Sequence, residues 1–109
     1  MTREEFRDHL AAQSGVTGNS ETLDAEDAKF IGQVIDNCHE ELEQMEVATW
    51  SVDDIPGFAV EGFVLYCKPS LQGFGGVVAT DPQMRERGLR QLRYITADKR
   101  AGRGTADYF

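Results

Sequence analysis

Cys38-His39, Cys67 and His9 are the side chains of this sequence best suited to bind metal or attack a substrate. Zinc would take them as thiolate and imidazole ligands. Structural zinc draws its ligands in closely spaced pairs such as C-x₂₋₄-C, and the sequence holds no such pair. A cysteine nucleophile needs its histidine base on the same face, whereas His39 follows Cys38 directly and points elsewhere on a helix. Cys38 falls on an apolar stripe, where free cysteine behaves as a small hydrophobe. Asp53-Asp54 offers paired carboxylates without a third ligand or a partner base. It precedes Ile55-Pro56, so one aspartate is expected to cap a helix with Pro in its first turn. Gly73-Phe74-Gly75-Gly76 lacks the Lys-Ser/Thr of a phosphate-binding loop and reads as a turn. The remaining carboxylates line a solvated helix face. The expectation is a protein that is not an enzyme and holds no metal or cofactor.

Charge divides the chain more sharply than any motif. Residues 1–80 carry four basic and fifteen acidic side chains, a balance of −11. Residues 81–109 carry seven basic and four acidic ones, a balance of +3, within a net charge of −8. An acidic body repels nucleic acid, because phosphate contacts require Lys and Arg. The basic end, with Arg85, Arg87, Arg90, Arg93, Lys99, Arg100 and Arg103, suits an acidic protein surface or a nucleic acid. Cations also favour the negative end of a helix dipole, but here the excess runs on past the predicted helix.

The 109 residues are enough for one domain, and 40% hydrophobic with 28% charged residues is the balance of a globular chain. No apolar run approaches the roughly 20 residues of a membrane span, and MTREEFRDHL is not a secretory signal. Two cysteines make no disulfide framework, which points to a reduced, cytosolic origin.

The elements that must position these residues are helical. Thr2 with Glu5 three residues later is a capping box, Phe6 and Leu10 share a face, and Ser14-Gly15 supplies a stop. Residues 16–23 have no periodicity and read as a loop. Residues 25–46 form the strongest element: Asp24 caps it, and Ala28, Ile31, Val34, Ile35, Cys38, Leu42 and Met45 make one buried stripe. Such a helix is long for so small a domain, which points to a partner, and its Gly32 requires a close neighbour. Val47 to Asp54 is a connector anchored by Trp50, which plugs one end of the core or meets a partner. Residues 56–68 fit either a strand or a helix. With helices on both sides and no second strand to pair with, helix is the expectation. Asp81-Pro82 opens a last helix with a cap and Pro at its first position, with Met84, Leu89 or Gly88, Leu92 and Ile95 inward. After Asp98 the sequence loses its helical face and reads as a flexible extension ending in Tyr108-Phe109, aromatic residues suited to anchor in a partner's pocket. The predicted fold is all-α, a small bundle of about four helices over residues 1–98, with a C-terminal arm over 99–109.

Several of these segments together resemble a known family. They are Gly15-Val16-Thr17-Gly18 after a short first helix, Glu21-Thr22 leading into Asp24-Ala25-Glu26-Asp27-Ala28, and Asp54-Ile55-Pro56 before the third helix. Leu89-x-x-Leu92 in the last helix and Thr105-Ala106-Asp107-Tyr108 near the end complete the set. This pattern is similar to the small helical head-to-tail adaptor proteins of tailed bacteriophages, the group that includes podovirus tail accessory factors. The resemblance implies a virion protein assembled in the host cytoplasm, forming a ring, typically of twelve copies, beneath the portal. Such a ring joins the portal to a downstream tail or nozzle protein and continues the DNA channel without binding DNA specifically. It also implies that the arm docks: Lys99, Arg100 and Arg103 would meet acidic or backbone oxygens, and Tyr108 and Phe109 would fill apolar pockets. The third segment is richer in glycine and aromatics than the family pattern, and the arm is shorter. The alternative is a small regulatory or antitoxin-like helical protein that binds nucleic acid through its basic end.

Overall fold

A computed structural model describes residues 1–17, 23–71 and 82–106, with side chains up to Ile95. These residues form four α-helices: α1 (Arg3–Gln13), α2 (Ala25–Gln44), α3 (Gly57–Cys67) and α4 (Met84–Ala106). A single 3₁₀ turn, Lys68–Leu71, prolongs α3. The all-α bundle expected from the sequence is thus the fold, and residues 57–67 are helix rather than strand.

Local signals set where α1 begins and ends. Thr2 Oγ1 accepts from the Glu5 N–H (3.1 Å), and the Thr2 N–H donates to Glu5 Oε1 (3.0 Å), closing the predicted capping box. At the other end Gly15 takes φ +79°, the left-handed conformation. Its N–H reaches Ala12 O, and the Val16 N–H reaches Ala11 O, so the last carbonyls find partners in a Schellman motif. α2 starts where Asp24 accepts from the Glu26 N–H. It stops at Gln44, two residues before the expected end. There the same motif recurs with Glu46 in place of glycine, at φ 59°: Glu46 N–H bonds Glu43 O, and Val47 N–H bonds Leu42 O. A glutamate carries no stop signal, so this end is invisible to pattern reading.

Three further expectations are corrected. Neither Asp53 nor Asp54 caps α3; their N–H groups bond Ser51 in a turn, and Pro56 is itself the N-cap residue, with no side-chain cap. Pro82 likewise lies outside α4, because Gln83 O accepts the first helical bond, from the Arg87 N–H. The α4 backbone also continues past Asp98 to Ala106, where an extension outside the helix was expected. Lys99, Arg100 and Ala101 are good helix formers and no proline intervenes, so Gly102 and Gly104 weaken the helix without ending it.

α3 is apolar on nearly every side, with Glu61 its only charge, and a helix of that kind has to sit centrally. It touches all three other helices and packs most extensively on α4. The core is formed by Phe6, Leu10, Ile31, Ile35, Leu42, Ile55, Phe63 and Leu71, all fully buried. Phe6 stacks on Phe63 with ring centroids 4.6 Å apart, and half-buried Trp50 meets the edge of Phe63 at 5.1 Å, closing one end of the core. The neighbour that Gly32 requires is Arg3: a Cβ at Gly32 would lie 2.7 Å from the guanidinium, which crosses α2 there to form a bidentate pair with Asp36.

The α3–α4 register is antiparallel. Arg85 lies beside Tyr66 and Ser70, Gly88 beside Tyr66 and Gly62, and Leu92 beside Gly62. Continued at that register, α4 reaches the first turn of α3 near Ile95, and residues 96–106 run on for about 16 Å at 1.5 Å per residue. The molecule is accordingly elongated, 50 × 27 × 25 Å.

Candidate functional site

Two regions combine unusual chemistry with a defined position. The first lies where α2, α3 and the start of α4 meet. Cys38 is on the inner face of α2 and Cys67 is the last residue of α3, and their exposures are 3% and 0%. Both are free thiols. The Cys38 thiol is held below its ordinary pKa, first by the neighbouring Cys67 and further by Arg85 and Ser70, against the opposing effects of burial and Glu41. The Cys67 thiol is pushed up by burial and by the neighbouring Cys38. The two thiols are thus shifted in opposite directions.

A clasp of polar side chains joins the same three helices. Tyr66 OH donates to Glu41 Oε2 (2.8 Å), Arg85 pairs with the same carboxylate, and Arg85 donates to Tyr66 OH (3.0 Å) and Ser70 Oγ (3.2 Å). The Arg85 guanidinium also lies over the Tyr66 ring, 4.2 Å from its centroid. Burial raises the Tyr66 pKa, and the bond to Glu41 raises it further. Arg85 and Glu41 remain partly open to solvent, at 38% and 47% side-chain exposure.

The second region is the outer face of α4. Arg87, Arg90, Arg93 and Tyr94 are exposed, while Gly88 and Leu92 face α3, as the apolar periodicity predicts. Tyr94 is 73% exposed. Arg90 pairs loosely with Glu86 (3.9 Å), and Arg93 approaches Met45 Sδ (3.8 Å). Arg85 is not part of this face: it is turned inward to the clasp. Lys99, Arg100 and Arg103 follow on the α4 backbone. Their side chains, and Tyr108 and Phe109 entirely, lie outside the described residues, as does the glycine turn at 73–76.

His39, which sequence reasoning sets aside, is buried at 7%. Its Nε2–H donates to Trp50 O (2.8 Å), its Nδ1 faces Glu43 (3.2 Å), and its ring lies 5.1 Å from the Trp50 ring. It fastens the connector to α2, well apart in role from the thiols. Among the described residues no three His, Cys, Asp or Glu side chains are placed to share a metal ion. No described helix is long and apolar enough to cross a membrane.

The clasp is absent from the sequence reading, but one signal for it was available. Tyr66 is a phenol in an otherwise apolar helix, and a buried tyrosine hydroxyl needs a partner. Comparison with protein-family models, with curated proteins and with solved structures yields no match.

Proposed function

We propose that this protein is a structural docking module that binds an acidic partner surface through α4, in the manner of the phage head-to-tail adaptors its sequence resembles. The observation that supports this reading is the division of α4. One face of the helix is locked to α3 through Gly88 and Leu92, and the opposite face presents Arg87, Arg90, Arg93 and Tyr94 on an otherwise acidic body. Arginine and tyrosine are the residue types most enriched where interfaces concentrate their binding energy. In the adaptor reading, copies form a ring, twelvefold as is typical of the family, below a portal protein and above a tail or nozzle protein. The acidic body borders DNA in transit without gripping it. Lys99, Arg100, Arg103, Tyr108 and Phe109 make the portal contact.

The test is co-sedimentation with the portal protein of the same virion, using the full chain, a chain lacking residues 99–109, and an Arg87/Arg90/Arg93→Ala variant. Binding of the full chain at a fixed stoichiometry, lost on truncation and weakened in the arginine variant, is the expected result. Undiminished binding of the truncated chain would sink the docking role of its last residues. The arginine face also suits a phosphate backbone. Duplex binding that weakens steeply with salt and disappears in the arginine variant would favour the nucleic-acid reading instead.

A further inference from the structure

We propose that the carboxyl end of α2 and the adjoining side of α4 form a self-association surface, on which a second copy of this chain docks about a two-fold axis. The inference rests on the reading of α4 as a docking helix and names its acidic partner surface: the end of α2 in the other copy.

The two halves of the surface border one another within one chain. Glu41 pairs with Arg85, and Met45 lies against Arg93, so the end of α2 runs beside residues 85–93 of α4. Leu89, four residues from each arginine, is half-buried on the same side of α4. Met45 is 38% exposed, which leaves an apolar seam between the halves. Glu40, Gln44 and Glu46 are exposed on the α2 half, and Arg90 and Arg93 on the α4 half. One half is acidic and the other basic.

The α2 half is built against its own electrostatics. The negative end of a helix dipole favours cations. Here Glu40, Glu41, Glu43 and Glu46 gather at that end, and the last turn holds no basic residue. Within the chain Arg85 answers Glu41, and His39 faces Glu43. Glu40 and Glu46 form no ion pair among the described residues. Glu46 also holds a left-handed backbone, at φ 59°, without being glycine. Strained residues of this kind gather at binding sites and switches. The cations of the α4 half are equally short of partners: Arg90 approaches Glu86 only to 3.9 Å, and Arg93 meets a thioether.

A chain of net charge −8 does not attract its own copy as a whole. At physiological salt, charges more than about 8 Å apart are largely screened, so the facing groups decide. Because the acidic and basic halves are neighbours, a second copy turned through a half-circle lays each half on its opposite. Arg90 and Arg93 of one copy then meet Glu40 and Glu46 of the other, twice over, with Met45 and Leu89 along the seam. A two-fold interface requires such self-complementarity.

Sedimentation velocity on the full chain at physiological salt is expected to show monomer in equilibrium with dimer and nothing larger. In 1 M salt, where the screening length falls to about 3 Å, the equilibrium should shift to monomer. Arg90/Arg93→Glu and Glu40/Glu46→Arg, all at exposed positions, are each expected to weaken dimerisation at least about tenfold. An equimolar mixture of the two variants is expected to restore it, because both contacts then pair opposite charges again. A wild-type chain that stays monomeric up to about 1 mM would overturn the proposal. So would variants that dimerise like wild type, or a mixture that dimerises no better than its components. Rings or open chains in place of dimers would overturn the two-fold arrangement. The wild-type salt series decides the association even if a variant does not fold. A monomer that still binds the portal protein would overturn this inference alone, and a dimer that ignores the portal protein would overturn the adaptor reading alone.

Discussion

Gly88 of α4 lies against Gly62 of α3, so closely that a Cβ on Gly88 would stand 2.7 Å from the Gly62 carbonyl oxygen and 2.7 Å from the Tyr66 backbone nitrogen. The obstacle at Gly88 is backbone, which cannot step aside. A Cβ on Gly62 would instead meet Leu92 side-chain carbons at 2.8 and 2.9 Å, and a leucine can change rotamer. Overpacking costs about 1–3 kcal/mol. Gly88→Ala is expected at or above the top of that range and Gly62→Ala near its foot, read from urea unfolding midpoints. Equal costs would mean that α4 shifts freely on α3.

Glu46 closes α2 in a left-handed conformation that glycine adopts without strain. Glu46→Gly is expected to stabilise the protein by about 1 kcal/mol, the order of the penalty an L side chain meets in that region. Chemical denaturation of the two chains side by side checks it, and an unchanged or lower midpoint would contradict it.

Arg85 joins α4 to α2 and α3 through one side chain. An exposed ion pair contributes about 0–1 kcal/mol and a cation–π contact about 0.5–1 kcal/mol, so Arg85→Ala should cost roughly 1–2 kcal/mol. Arg85→Lys keeps the charge and loses the planar fork that reaches Glu41, Tyr66 and Ser70 together. It should recover only part of the loss. Full recovery by lysine would show that charge alone matters at this position.

Glu5 makes the amino end of α1 sensitive to acid. Its carboxylate accepts from the Thr2 backbone and interacts with the Thr2 side chain, which lowers its pKa in the folded chain. A lowered folded pKa means that the contribution is complete above the unfolded carboxyl's pKa and is lost as pH falls through the folded one. The stability difference between wild type and Glu5→Gln should therefore be largest near neutrality and vanish in acid. A difference independent of pH would contradict the capping role of the carboxylate.

The caps of α1 and α2 and the apolar spacing are local properties, and they were legible in the order of residues alone. Thr2 and Glu5 are three apart, Asp24 borders its helix, and Ile31, Ile35, Cys38 and Leu42 repeat at the helical period, so each signal lies within one or two turns of chain. The helical state of α3 followed from the absence of any strand to pair with. The misplaced ends include those at Glu46 and near Asp98, where no Gly or Pro marks a stop that the backbone itself makes or omits, and the starts at Pro56 and Pro82, where each proline sits before the first helical residue. The division between an acidic body and a basic final helix was also plain from the charges. The clasp was not. Tyr66 meets Glu41 across 25 positions and Glu41 meets Arg85 across 44, and no local pattern encodes which side chains face one another when three helices pack. That choice belongs to the tertiary structure, where the glycine contact between α3 and α4 sets their register and thereby brings Arg85 over Tyr66.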